Sequence, residues 1–232
     1  MEIVKPKYER RIVCFFDILG WKDHIDRAGD DPEELERLAL FPSIMTSELV
    51  KEKSSSTHRL TAFSDCVVVS CLESQTDLMN YIQGLSKIFL AAATYGLFMR
   101  AGVTIDNIYH DDRIVFGPAL NRAHYLESTG DYPRIILDDS IPVLRDFKYA
   151  KRSGEVVFVE AFEYLLETET FTDIEFCSVL EVVKANIERS LVELRRQPAQ
   201  IKPPRGISST PAQKMAWLEE RTQKLITELY SR

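Results

Sequence analysis

The chain has 232 residues, 45% hydrophobic and 28% charged, with a formal net charge of −7. That composition suits a globular protein with one principal core and a smaller appendage. The acidic balance argues against wholesale binding to a nucleic-acid backbone, and no apolar run reaches the roughly 20 residues of a membrane helix. The N-terminus lacks the basic, apolar and small-residue layout of a signal peptide, which places the chain in the cytoplasm. Cys14, Cys66, Cys71 and Cys177 sit in apolar patterns without zinc-ligand spacing, as expected of small buried hydrophobes in a reducing compartment.

Residues 1–10 are polar and basic, a frayed lead-in. Ile12-Val13-Cys14-Phe15-Phe16 then predicts a buried strand. Asp17 follows where the pattern would place another apolar residue, and Gly20 turns the chain toward a helix or turn over residues 21–25. Asp31-Pro32 is an N-cap with proline at the first helical position, and Leu35, Leu38, Ala39, Ile44, Met45 and Leu49 repeat at helical spacing, with a kink at Pro42 and an end at Ser54-Ser55-Ser56. Residues 58–72 predict a hairpin with Ser64-Asp65 as its turn. Thr76 opens a second helix, whose face of Leu78, Met79, Ile82, Leu85, Phe89, Leu90 and Ala93 runs to Tyr95-Gly96.

Residues 97–109 and 113–116 predict two strands, and Gly117-Pro118 begins a third helix carrying Asn121, Arg122 and His124. Strands at 134–137 and 156–159 complete an alternating order, while residues 148–152 look like a solvated loop. A long amphipathic helix over 173–196 and a final one capped by Thr210-Pro211 flank a Pro- and Ser-rich linker at about 198–211. These helices must bury a face on the core, on each other or on a second subunit. His24, His58, His110 and His124 are expected on the surface or in loops rather than as ligands.

Two strand-borne acids, Asp17 and Asp65, can converge on a hard cation such as Mg²⁺. Read singly, Asp17 caps a turn and Asp65 sits at a hairpin tip, as such residues commonly do. The metal reading gains force from four motifs in order. Phe16-Asp17-Ile18-Leu19-Gly20-Trp21 resembles the first metal motif of the class III nucleotidyl cyclase catalytic domain. Phe63-Ser64-Asp65 is similar to its second metal motif, with Ser64 where glycine is usual. Arg100-Ala101-Gly102-Val103 resembles its Arg-x-Gly-Ile strand, although Asp106 stands where a second glycine is common. Residues 117–128, Gly-Pro-Ala-Leu-Asn-Arg-Ala-His-Tyr-Leu-Glu-Ser, resemble its Gly-x-x-Val-Asn-x-Ala-x-Arg-Leu-Glu segment.

The resemblance covers about residues 10–165. It implies an α+β fold, a ferredoxin-like βαββαβ core with a mainly antiparallel sheet and helices on one face, over residues 1–165, followed by a helical extension at 166–232. It implies conversion of a nucleoside triphosphate to a 3′,5′-cyclic nucleotide and pyrophosphate with two divalent ions, Mg²⁺ or Mn²⁺. Asp17, Asp65 and the Ile18 carbonyl would hold metal. Ile18, Leu19, Gly20, Trp21, Thr61, Phe63 and Lys151 would bind nucleotide, with Lys22, Lys148 and Arg152 as other candidates for the triphosphate cation. Asn121 would orient the ribose from a partner subunit in a head-to-tail homodimer, with Arg122 and Arg100 as catalytic donors.

Three departures bear on the substrate. The base-reading lysine and aspartate of purine cyclases fall at Thr61 and Ile114, and Tyr125 takes the slot of an arginine that stabilises α-phosphate charge. The missing purine readers point to the Pycsar bacterial defence cyclases, which make cyclic UMP or cyclic CMP as messengers for a separate effector in antiphage defence. Arg59, His58 or Phe63 would then approach the base. No direct nucleic-acid or membrane contact is expected. Tyr125 favours a different reading, an inactive nucleotide- or protein-binding module, and a palm-type polymerase forming oligonucleotides is a third.

Overall fold

The computed structural model describes residues 6–40, 58–196 and 209–232. Strand β1 (Glu9–Ile18) lies inside the sheet, third from the β2 edge. A hairpin of β2 (Arg59–Phe63) and β3 (Cys66–Leu72) pairs with it on one side, and β4 (Met99–His110) on the other, all antiparallel. The short β5 (Val115–Phe116) folds back on the end of β4. Beyond β4 come β6 (Ile135–Leu137), which runs parallel to it, and the hairpin of β7 (Ala150–Ser153) and β8 (Val156–Val159). The sheet order is therefore β2-β3-β1-β4-β6-β8-β7.

The period of two along β1 decides what each face holds. Ile12, Cys14, Phe16 and Ile18 enter the main core, where α3 (Leu78–Thr94) packs its apolar stripe on them. Val13 and Phe15 point the other way, toward Ala119 and Ala123 of α4 (Pro118–Thr129). Asp17 shares that second face. Helices thus flank both faces of the sheet, which corrects the expectation of helices on one face within an otherwise matching α+β fold.

Gly102 is what lets α4 lie so close. A Cβ there would stand 2.1 Å from the Ala123 carbonyl oxygen and 2.7 Å from the Glu127 nitrogen. At the other turn that matters, Gly20 has φ +70, the left-handed region that glycine enters without steric cost, and it sends the chain from β1 into α1 (Trp21–Ala28). A helix at 32–40, labelled α2, follows with Asp31 capping the Glu33 N–H.

After β8 come α5 (Ala161–Thr168), α6 (Asp173–Arg196) and α7 (Pro211–Tyr230). Phe176, Leu180 and Ile187 of α6 and Met215, Leu225 and Leu229 of α7 join the same core as β1 and α3. Asn186 of α6 donates to the Ala93 and Thr94 carbonyls and so satisfies the end of α3. The tail helices therefore pack on each other and, through α6, on α3. A capping box between Thr210 and Gln213 starts α7, and Asp131 accepts from the Ser209 hydroxyl at 2.7 Å to fix its approach.

Several expectations need correction. Residues 148–152 are not a solvated loop: β7 occupies part of them as an edge strand, and its Ala-Lys-Arg-Ser run has no apolar alternation to announce it. The cap of α3 is Asp77 rather than Thr76, since its carboxylate accepts from the Met79 and Asn80 N–H groups. His24 and His110 are buried, not on the surface. The expected helical positions Ile44, Met45 and Leu49, the kink at Pro42, the end at Ser54-Ser55-Ser56 and most of the linker at 198–211 lie outside the described residues.

Candidate active site

Asp17 is the penultimate residue of β1, and the register sets it between Cys66 of β3 and Arg100 of β4. The turn of Ser64 and Asp65 brings the second acid to the same end of the sheet. Ser64 adopts φ 56, a strained setting for a side chain with a Cβ, so the hairpin holds Asp65 at some local cost. One carboxylate oxygen from each acid and the Cys66 sulfur lie within 4.8 Å of one another. Backbone bonds fix the arrangement: the Ile18 N–H donates to the Asp65 carbonyl at 3.2 Å, and the Leu19 N–H to the Phe98 carbonyl at 2.8 Å. The Ile18 side chain points into the main core, so any part it takes in the site is through its carbonyl.

The balance of charge at this end favours a further cation. Arg100 donates to Asp17 Oδ2 at 2.7 Å, and the same nitrogen is 2.6 Å from Glu127 Oε1 on α4. Burial pushes Glu127 up to about 7; Arg100 opposes this and Asp17 adds to it. Burial also raises Asp17, with Arg100 pulling it back and Asp65 pushing it further up. Asp17 and Glu127 therefore share one guanidinium, with the Lys214 ammonium acting on both and Asp65 adding a third carboxylate beside Asp17.

The donor set fits a hard divalent ion. Burial, with help from Asp65 and Asp17, pushes the Cys66 thiol up to about 12, so it stays protonated and offers its S–H weakly to Asp65. The ligands that remain are carboxylate oxygens, which suit Mg²⁺ or Mn²⁺ better than zinc.

The other expected site residues divide into three groups. Leu19 and Gly20 line a cavity of about 220 Å³ with Phe98, Lys214 and Met215, while Trp21 packs against the core. Thr61, Phe63 and Asn121 line a groove of about 370 Å³ with Phe15 and His124. Thr61 is 3.0 Å from His110 Nε2, and burial, reinforced by Arg11 and Arg59, lowers that imidazole to about 4, so the ring is neutral. Lys151 stands apart, exposed on β7, with β4, β6 and β8 between its strand and β1.

No protein-family model matches the sequence, and no curated protein matches it. Among solved structures, a bacterial light-regulated adenylyl cyclase aligns over 79% of this chain at 16% identity with a TM-score of 0.51. The chain spans 58% of the length of that structure. The adenylyl cyclase CyaB from P. aeruginosa aligns over 67% of this chain and 94% of its own, at 15% identity and a TM-score of 0.50. The chain has the cyclase fold. At such identities the likeness concerns the fold, so the chemistry of this cyclase-fold chain has to be argued from its side chains. Among the described residues no helix is long and apolar enough to cross a membrane.

Two side chains near the acids, and a third that engages Arg122, carried no assigned role in the sequence. Glu127 shares the buried stripe of α4 with Ala123 and Ala119, four and eight residues earlier, so an acid at that spacing was the available signal. Lys214 stands four residues before Leu218 on the buried stripe of α7, and its ammonium lies 3.7 Å from Asp131. Nothing local to either residue announces its neighbours. Asp138 is the third, and it engages Arg122, which donates to both of its oxygens at 2.8 and 2.9 Å.

The Arg122 pair makes a prediction about stability. Burial alone would raise Asp138, but Arg122, Thr104 and Ser140 outweigh it and hold the carboxyl well below its usual range. Its stabilising contribution is therefore present above the unfolded value of about 3.9 and is lost as the pH falls further. Arg122→Met should cost about 2–3 kcal/mol at neutral pH, less than in a dry pair because Arg122 is 39% exposed. Urea unfolding at pH 7 and at pH 3 would check this, with a smaller deficit at the acid end.

Proposed function

We propose that the protein is a metal-dependent nucleotidyl cyclase that converts a nucleoside triphosphate, UTP or CTP, to its 3′,5′-cyclic monophosphate and pyrophosphate. The observation that carries the reading is the meeting of Asp17 and Asp65 within ligand distance at the Gly20 turn of a cyclase fold. Divalent ions held by Asp17, Asp65 and the Ile18 carbonyl would lower the proton affinity of the attacking 3′-oxygen and neutralise charge on the triphosphate.

The chain's own groups then have positioning work to do. Arg100 keeps Asp17 in place from β4, and Glu127 steadies Arg100 from α4. The groove at Thr61, Phe63 and Asn121 is walled by Phe15, Val68 and Leu120, with no lysine or aspartate among the described residues that line it. A flat, mostly apolar slot of this kind accepts a base without the charged purine readers, which supports a pyrimidine. Phe63 at the hairpin tip is 82% exposed and Tyr125 on α4 is 57% exposed, and these uncovered apolar groups support a homodimer in which the groove of one protomer, with its Asn121, faces the acids of the other. Its product would serve a separate effector, in the manner of bacterial antiphage signalling.

A second reading rests on the arginines. Tyr125 fills the expected arginine slot, Arg122 is committed to Asp138, and Arg100 to Asp17 and Glu127, so none is a free donor to an α-phosphate in one protomer. That favours a module that binds nucleotide without turning it over. Incubation with each of the four triphosphates and Mn²⁺ separates the readings. Cyclic UMP or cyclic CMP supports the proposal. Turnover of ATP or GTP alone removes the pyrimidine assignment, linear oligonucleotides identify a polymerase, and nucleotide binding with no product leaves the non-catalytic module.

A further inference from the structure

A cavity of about 510 Å³ lies away from Asp17 and Asp65, between the β7–β8 hairpin, the start of α5 and α7. Its volume is in the range that holds a mononucleotide-sized ligand. Five basic side chains line it, Arg134, Lys151, Arg152, Arg221 and Lys224, against three acids, Glu160, Glu163 and Glu228. In a chain of net charge −7, such a local excess of cations concentrates anions at one place.

Arg134 is the decisive residue. It is 6% exposed, forms no ion pair among the described residues, and its Nε is buried without an acceptor. Its guanidinium carbon lies 4.8 Å from the Phe158 ring, 5.4 Å from Tyr132 and 5.7 Å from Trp217. Buried cations are ordinarily paired, and aromatic faces offer only part of that compensation. Two carboxylates act on Arg134 through charge: Asp131, which also accepts from the Ser209 hydroxyl and lies 3.7 Å from the Lys214 ammonium, and Glu160, which is engaged in a close ion pair with Arg221. Arg221 itself stacks 4.5 Å over Trp217 and 5.2 Å from Phe158. Rings thus cover the flat faces of two guanidiniums, which leaves their N–H edges as the polar surface, the geometry that grips phosphate oxygens.

We propose that this cavity binds a phosphate-bearing small molecule, with its phosphate on Arg134 and Arg221 beside Trp217 and with Arg152 and Lys224 at the mouth. The site takes Trp217, Arg221 and Lys224 from α7, outside the span of residues that resembles a cyclase, and Arg134 and Arg152 from within that span, and it does not depend on metal at Asp17 and Asp65. Its success or failure is therefore separable from that of the cyclase reading.

Trp217 supplies the probe. With Trp21→Phe as background it is the sole tryptophan of the chain, and titration in EDTA with pyrophosphate, orthophosphate and UMP reads the site alone. Saturable quenching at or below about 1 mM is expected from at least one of them. A preference for UMP identifies a nucleotide ligand, and equal binding of pyrophosphate identifies the polyphosphate group as sufficient. Arg134→Met should weaken binding about tenfold or more, and the exposed changes Arg152→Ser and Lys224→Ser should weaken it severalfold without touching the buried cluster. Asp65→Asn should leave it unchanged. The proposal is overturned if no probe binds by about 10 mM, if the arginine and lysine variants bind like the parent, or if Asp65→Asn abolishes the signal.

Discussion

Asp17→Asn and Asp65→Asn should each remove Mn²⁺ binding and lower cyclic-nucleotide formation by about 10³-fold or more, while the protein stays folded. Each change removes one negative ligand from a pair whose oxygens approach within 4.8 Å, and a neutral amide offers a hard ion far less. Loss of several kcal/mol of transition-state charge stabilisation corresponds to that factor. The fold should survive because the amide oxygen introduced by Asp17→Asn can still accept from Arg100, and because Asp65 lies in a turn rather than in the core. Relief of crowding among Asp17, Glu127 and Asp65 offsets part of the lost ion pair, so the cost in stability should remain below about 2 kcal/mol. Calorimetric titration with Mn²⁺, run beside circular dichroism, separates the two effects. Undiminished metal binding in both variants would mean that the acids serve only the turn and the hairpin.

Gly102→Ala should be the most damaging small substitution in the sheet, costing more than about 3 kcal/mol. The added carbon would meet the Ala123 carbonyl oxygen at 2.1 Å and the Glu127 nitrogen at 2.7 Å, both of them backbone of α4. No rotamer relieves that contact, so the helix as a whole must lift. Since α4 carries Glu127 against Arg100 and Asn121 beside the Thr61 groove, activity should fall with stability. Gly130→Ala is the comparison to run. Its Cβ meets Ile136 Cδ1 at 2.0 Å, the end of a flexible side chain, and its cost should be distinctly smaller. Urea unfolding of the two variants gives the difference directly.

The same contrast between local and tertiary causes marks what could be read before any coordinates. The β1 run, the Ser64-Asp65 hairpin, α3, α6 and α7 were legible because each carries its own period or its own start or stop signal, such as Thr210-Pro211 at the start of α7 or Tyr95-Gly96 at the end of α3. Asp17 stood out because an acid interrupts an apolar strand. By contrast, β7 is polar and at an edge, and α5 has only eight residues, so neither has a face long enough to register. His24 and His110 became buried through partners far along the chain, among them Arg37 and Ser70. Lys214 comes near the acids only because α7 crosses the end of the sheet, and Arg122 meets Asp138 only because β6 ends beside α4. Chain-local patterns thus point to the two acids proposed to hold metal, whereas the fates of the arginines needed the fold.

Those fates make one measurement decisive for the central claim, that Asp17 and Asp65 hold metal for cyclisation of a nucleotide. Mass spectrometry of the products formed from an equimolar mixture of the four triphosphates with Mn²⁺, comparing the native chain with Asp65→Asn, tests it most directly. A cyclic pyrimidine monophosphate with an equal amount of pyrophosphate is expected from the native chain, and neither from the variant or in EDTA. Intact triphosphates in every sample, or a cyclic product that persists in Asp65→Asn, would contradict it.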